Sequence, residues 1–62
     1  MTIYHLPENC ELHLTEGNGT YMLRLYDADA EQYYPSMKGY SGPNAYTLVM
    51  ADIERITKQT QN

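Results

Sequence analysis

The chain has 62 residues with a single cysteine, and it carries eight acidic side chains against four lysines and arginines, for a net charge of −4 at pH 7. A chain of this length forms one domain, residues 1–62, and a single cysteine excludes an intramolecular disulfide. Because affinity for phosphates comes from lysine and arginine, this charge disfavours direct binding to nucleic acid and favours a protein partner with a basic surface.

The N-terminal residues lack the basic start and apolar run of a secretory signal. The apolar runs are also far shorter than the roughly 20 residues that a membrane span requires. We therefore expect a cytoplasmic protein with no membrane partner. Formation of a homodimer remains an alternative, because a domain with so small a core gains stability from association.

Thr2–Leu6 is compatible with a short strand, and a β-hairpin centred on Asn18-Gly19 follows it. This dipeptide tolerates the positive φ angles of a two-residue type I′ turn. The turn pairs residues whose numbers sum to 37, which places four leucines on one face: Leu12, Leu14, Leu23 and Leu25. The other face carries Glu11, His13, Thr15, Met22, Arg24 and Tyr26. We expect His13 to be exposed on this face, near Arg24.

Asp27–Glu31 predicts an acidic turn, because aspartate hydrogen-bonds the neighbouring backbone. Tyr33–Tyr40 then forms either an edge strand or an irregular extended segment, since Pro35 cannot donate a hydrogen bond to a neighbouring strand.

Ser41–Asn44 predicts a helix start, and the helix is expected to run to about Lys58. Its apolar residues share one arc: Ala45, Val49, Ile53 and Ile56. The elements together predict an α+β fold of two layers, βββα, in which an antiparallel meander of about three strands packs against one C-terminal helix.

Asp27, Asp29 and Glu31 have the spacing of the first three ligands of a calcium loop. Such a loop also needs a glycine and a bidentate glutamate, and Gln32 and Lys38 stand at those positions. We therefore expect a solvated turn or a partner contact here, and no calcium site.

His5, Cys10 and His13 are the only histidines and cysteine. Cys10 and His13 are three residues apart in a predicted strand, so they point to opposite faces and do not form a zinc site. Cys10 also lies between Glu8 and Glu11, whose charge disfavours a reactive thiolate. The sequence has no phosphate-binding loop or nucleophile elbow. It predicts a protein that is not an enzyme, with no catalytic residues, metal or cofactor.

All seven aromatic residues are tyrosines, which combine an apolar ring with a polar tip and are enriched at contact surfaces. We assign three to packing: Tyr21, Tyr46 and one of the pair Tyr33 and Tyr34. We assign three to contacts: Tyr26, Tyr40 and the other member of that pair. The predicted partner-binding residues are Glu8, Glu11, Tyr26, Asp27, Asp29, Glu31, Tyr33 and Tyr34. The register places Glu11 opposite Tyr26 and Cys10 opposite Asp27, so the acids at the start of the first hairpin strand and those after the second should be neighbours.

In its size, its tyrosine content and its acid-rich first half, the chain resembles the small anti-CRISPR proteins that phages encode. The acids that carry this resemblance are Glu8, Glu11, Glu16, Asp27, Asp29 and Glu31. The resemblance implies an inhibitor that binds a CRISPR effector complex and blocks target DNA recognition. It would do so either by placing carboxylates where DNA phosphates would lie or by steric blocking. The alternative is a homodimeric regulatory or accessory module of the antitoxin type, which pairs through the hairpin face or the helix margin at Leu48 and Met50.

Overall fold

A computed structural model describes residues 1–59 as a sheet of four strands covered by one helix. The elements are β1 (Thr2–Leu6), β2 (Cys10–Gly17), β3 (Thr20–Asp27), β4 (Gln32–Tyr40) and α1 (Ala45–Gln59). The strands are antiparallel in the order β1-β2-β3-β4. The predicted α+β meander with a C-terminal helix is confirmed. The predicted number of about three strands is wrong, because both uncertain segments pair as strands and the sheet has four.

The central hairpin has the predicted turn and register. Asn18 and Gly19 have φ angles of 53° and 75°, the sign that a type I′ turn requires at both positions. Leu12 pairs with Leu25 and Leu14 with Leu23, so the leucines share one face of the sheet. A shift of one residue would move them to opposite faces, and the apolar pattern therefore reinforces the turn.

β1 joins the sheet through the turn Pro7–Asn9, in which both Glu8 and Asn9 have positive φ angles. In this pairing Tyr4 faces Leu12 across the strands. Tyr4 and Leu6 both pack against the core, so the apolar face extends across β1. That burial explains why a five-residue segment forms a strand.

β4 is an edge strand with a bulge. Tyr33 pairs with Tyr26 and Met37 with Arg24, so residues 34–36 of β4 lie opposite the single residue Leu25 of β3. Pro35 falls inside this bulge, where its missing N–H breaks no regular ladder.

Helix α1 lies on the leucine face of the sheet. Its first backbone hydrogen bond runs from the Leu48 amide to the Asn44 carbonyl at 3.0 Å, so the helix begins beside the predicted start signal. The buried core consists of Leu12, Leu23, Tyr40, Ala45, Val49 and Ile53. No helix within residues 1–59 combines the length and apolar character needed to cross a bilayer.

Two tyrosine assignments are wrong. Tyr40 was predicted to contact a partner, yet it is 6% exposed and belongs to the core, because the last residue of β4 points toward α1. Tyr46 was predicted to pack, yet it is 60% exposed. Its ring meets Tyr21 at a centroid distance of 5.9 Å, at the margin of the helix and the sheet.

One carboxylate on the helix joins α1 to β4. Asp52 accepts hydrogen bonds from the Tyr40 hydroxyl at 2.5 Å, from Lys38 Nζ at 3.0 Å and from Arg55 Nη2 at 3.0 Å. It therefore holds two cations and one phenol beside the core.

Candidate functional site: the open sheet face and the acidic loops

The face of the sheet opposite α1 has no covering layer within residues 1–59, and we call it the open face. Side chains alternate along each strand, so cross-strand pairs place two rows on this face. The first row is His5, Glu11, Tyr26 and Tyr33, and the second is Ile3, His13, Arg24 and Met37. The predicted polar face of the hairpin is therefore the centre of the open face.

A hydrogen-bonded cluster around His13 lies in the middle of the open face. His13 Nε2 is 2.8 Å from Glu11 Oε1, and Nδ1 is 2.8 Å from the Tyr33 hydroxyl. An ionised carboxylate only accepts, so Nε2 donates to Glu11; in the neutral ring, Nδ1 then accepts from Tyr33. His5 lies at the margin of the cluster, with Nδ1 3.8 Å from Glu11 Oε2.

Aromatic rings enclose His13. The Tyr26 ring stacks on the imidazole at 5.0 Å, and the Tyr33 ring meets it edge-on at 5.2 Å. Tyr26 and Tyr33 also contact each other edge-on at 4.9 Å. His13 is consequently 6% exposed, and the expectation that it is exposed is wrong. Its burial arises from rings on two neighbouring strands that close over it.

Arg24 stacks on the outer part of this cluster. Its guanidinium carbon lies 3.8 Å from the centroid of the Tyr33 ring, which is a cation–π arrangement. Within residues 1–59, Arg24 makes no salt bridge, and its buried Nε has no hydrogen-bond partner. The only lysine or arginine in residues 1–35 is therefore held against a ring and forms no salt bridge with an acid within residues 1–59.

Two acidic loops meet at the end of the sheet next to the first row. The Ala28 amide donates to the Asn9 carbonyl at 2.9 Å, and Asn9 Nδ2 donates to Asp29 Oδ1 at 3.0 Å. Asp27 Oδ1 accepts from the amides of Asp29 at 3.0 Å and Ala30 at 3.2 Å. The two bonds of Asn9 join the turns 7–9 and 28–31, and the two bonds to Asp27 hold the second turn in shape. We call this region the acidic end; its carboxylates are Glu8, Asp27, Asp29 and Glu31.

The cations of the second half of the chain are already paired. Lys38 and Arg55 both bind Asp52, and Lys58 Nζ lies 2.7 Å from the Glu54 carboxylate. Among residues 1–59, no lysine or arginine forms a salt bridge with a carboxylate of the acidic end. Four of the six carboxylates in the first half of the chain therefore lie at one end, with no lysine or arginine partner within residues 1–59.

The structure brings together most of the predicted partner-binding residues. Glu11, Tyr26 and Tyr33 lie on the open face, beside the four carboxylates of the acidic end. Tyr34 is separate: its hydroxyl lies 3.8 Å from Cys10 Sγ on the side of the sheet that faces the helix. A hydrogen bond with Cys10, with added repulsion from Asp27 and Glu8, raises the pKa of Tyr34.

Sequence reasoning missed the role of His13 as the centre of the cluster. One signal for it was present, because Glu11 and His13 are two residues apart in one strand and therefore share a face. The third member, Tyr33, depends on the bulge of β4, and the sequence does not give the position of that bulge.

The His13 cluster forms a rigid part of the open face that carries the Glu11 carboxylate. Both ring nitrogens of His13 already have protein partners, so the cluster holds Tyr26 and Tyr33 in a fixed arrangement. Within residues 1–59, no group of three or more histidine, cysteine or acidic side chains is arranged to hold a metal ion. The chain matches no known protein family, no curated protein and no solved structure.

Proposed function

We propose that this protein is a small acidic inhibitor that binds a basic surface of a protein partner. We further propose that the partner is a subunit of a CRISPR effector complex whose recognition of target DNA is blocked. The observation that carries the proposal is the uncompensated acidic end, where Glu8, Asp27, Asp29 and Glu31 have no lysine or arginine partner within residues 1–59.

A surface that binds DNA phosphates contains closely spaced lysines and arginines, and carboxylates satisfy the same donors. The acidic end presents its carboxylates on two loops that are hydrogen-bonded to each other. Little conformational entropy is then lost when a partner binds, because the loops are already ordered. Concentrated charge also speeds the encounter with a basic partner.

The open face supplies a second part of the contact. Tyr26 and Tyr33 lie next to the acidic end and are held in place by His13. Rigid tyrosines at the centre of an interface contribute strongly to binding, while charges at its rim direct association. An aromatic patch with an acidic margin thus combines steric blocking with mimicry of phosphate charge.

The test compares two double charge-reversal variants in which the net charge of the protein changes by the same amount. Glu8→Lys with Glu31→Lys alters the acidic end, and Glu16→Lys with Glu54→Lys alters acids at the hairpin tip and on the outer face of α1. Purified effector complex is titrated with each variant, and target DNA binding is measured at about 50 mM and about 200 mM salt. We expect the first variant to lose inhibition and the second to retain it, with affinity falling steeply as salt rises. Equal inhibition by both variants would exclude the acidic end.

Exposed apolar side chains on the open face favour a second candidate, the homodimeric accessory module of the antitoxin type. Ile3, Met22 and Met37 are 42%, 37% and 56% exposed. Two copies would cover these side chains by packing face to face. Sedimentation equilibrium separates the candidates, because a tight dimer that binds no effector supports the module and a monomer that binds an effector supports the inhibitor.

A further inference from the structure

A groove lies between β4 and the second half of α1, on the side of the sheet opposite the open face. Its volume is about 510 Å³, within the range of small-molecule sites. The floor is formed by Leu12, Leu23, Leu25 and Ile56. Leu12 and Leu23 are only 3% and 5% exposed, so the groove reaches the core of the domain.

The groove lies where the middle of β4, before Tyr40, does not continue the apolar face of the sheet. β2 and β3 present leucines to α1, whereas the β4 residues that line the groove are Ser36, Met37, Lys38 and Tyr40, of which Ser36 is small and Lys38 is charged. Lys38 pairs with Leu23 in the register, and its side chain rises to Asp52 instead of covering the leucine floor. Leu25 and Ile56 are half-buried, so part of the apolar floor is open to water, and an apolar ligand would remove that part from water at a favourable free energy.

The rim of the groove has an excess of positive charge. Lys38 and Arg55 share the single carboxylate of Asp52, which leaves a net charge of +1 in a chain whose net charge is −4. The side chains of Lys38 and Arg55 are 63% and 56% exposed, so they have N–H groups that face solvent. An anionic group at this rim would accept charge-assisted hydrogen bonds from both.

We propose that the groove binds an amphipathic monocarboxylate with an unbranched aliphatic chain. The chain lies on the leucine floor, and the carboxylate binds between Lys38 and Arg55. Charge complementarity selects this ligand. A cationic amphiphile is repelled at the rim, and a neutral amphiphile offers no second anion to Lys38 and Arg55, which share the Asp52 carboxylate. The proposal does not depend on the proposed function, because the groove lies on the helix side of the sheet and shares only Met37, at the β4 edge, with the open face.

The probe is octanoate, with octan-1-ol and octylammonium as matched ligands of the same chain length. Binding is followed by the NMR shifts of the Leu25 and Ile56 methyl groups and by the rise in Tm that a ligand of the folded state produces. We expect saturable shifts and a raised Tm with octanoate, and binding at least about tenfold weaker with the other two ligands. Equal binding of octanoate and octan-1-ol would overturn the role of the rim, and the absence of saturable shifts would overturn the site.

Three variants locate the binding. Arg55→Gln removes one rim cation and is expected to weaken octanoate binding about tenfold. Lys58→Gln removes a cation that pairs with Glu54 on the same helix and is expected to leave binding unchanged. Ser36→Leu keeps both rim cations and fills the groove, so it should abolish binding while the domain stays folded. Equal weakening by Arg55→Gln and Lys58→Gln, or full binding by Ser36→Leu, would overturn the proposal.

Discussion

The hydroxyl of Tyr40 donates a 2.5 Å hydrogen bond to Oδ2 of Asp52, which joins the last residue of β4 to the middle of α1. Burial, together with this hydrogen bond, raises the pKa of Tyr40 to about 12. The same bond, with those from Lys38 and Arg55, holds the pKa of Asp52 well below its usual range. The helix is therefore docked through a neutral phenol and an ionised carboxylate.

Asp52 should make the stability of the domain dependent on pH in the acid range. A carboxyl whose pKa is lower in the folded state contributes stability above its unfolded pKa, near 3.8. That contribution is lost as the pH falls toward the folded pKa. We expect Asp52→Asn to be less stable than the wild type at neutral pH and to show a flatter decline in acid. Urea unfolding from neutral pH to about pH 2 measures both, and parallel curves for the two proteins would contradict this.

Ile53 should contribute far more to stability than Ile3. Ile53 is 3% exposed in the core, whereas Ile3 is 42% exposed on the open face. Ile53→Ala is expected to reduce the free energy of unfolding by about 2–5 kcal/mol, because it leaves a cavity. Ile3→Ala, the matched control, should cost less than about 1 kcal/mol. Chemical denaturation measures the two losses in the free energy of unfolding. Equal losses would show that Ile53 does not belong to the core.

Gly19 should not tolerate a side chain, while Gly39 should. The φ angle of Gly19 is 75°, a left-handed conformation that costs an L-residue about 1–2 kcal/mol. Gly39 lies in β4, and a Cβ built there meets nothing within 4 Å. We expect Gly19→Ala to lower Tm and Gly39→Ala to leave it unchanged or raised. A neutral Gly19→Ala would show that the turn relaxes without strain.

His13 should stabilise the open face, and His5 should not. His13→Ala leaves the Glu11 carboxylate and the Tyr33 hydroxyl without their partner, at a cost of about 1–3 kcal/mol. The control is His5→Ala, since the His5 side chain is 80% exposed. NMR spectra of His13→Ala should also show altered shifts for the rings of Tyr26 and Tyr33. Unchanged ring shifts would mean that the tyrosines keep their arrangement without the histidine.

The features that sequence predicted are those set by neighbouring residues. The type I′ turn at Asn18-Gly19 specified the register of β2 and β3, because turn and alternation act within the same ten or so residues. The helix also followed from local signals, since its start residues and its apolar arc lie in one segment. The acidic end followed from the register, which placed the start of β2 beside the end of β3.

Other features depend on contacts between distant segments. Whether Thr2–Leu6 is a strand is decided by burial of Tyr4 and Leu6 against the core, which the segment alone does not encode. His13 is buried because Tyr33 from β4 joins Tyr26 in covering it, through a bulge whose position local pattern does not give. Tyr40 was misassigned because tyrosine suits both cores and interfaces, and the structure alone supplies Asp52 as a partner for its hydroxyl.

The bulge in β4 also determines how this sheet can grow. β4 is one outer strand, and Pro35 withholds a backbone donor there, so a further strand cannot pair regularly along that edge. β1, the other outer strand, has no proline in Thr2–Leu6 and is the edge along which a strand can be added. Two copies joined through β1 would form a continuous sheet of eight strands with β4 at both ends. Edge-to-edge association would therefore stop at a closed pair and not propagate into a fibre.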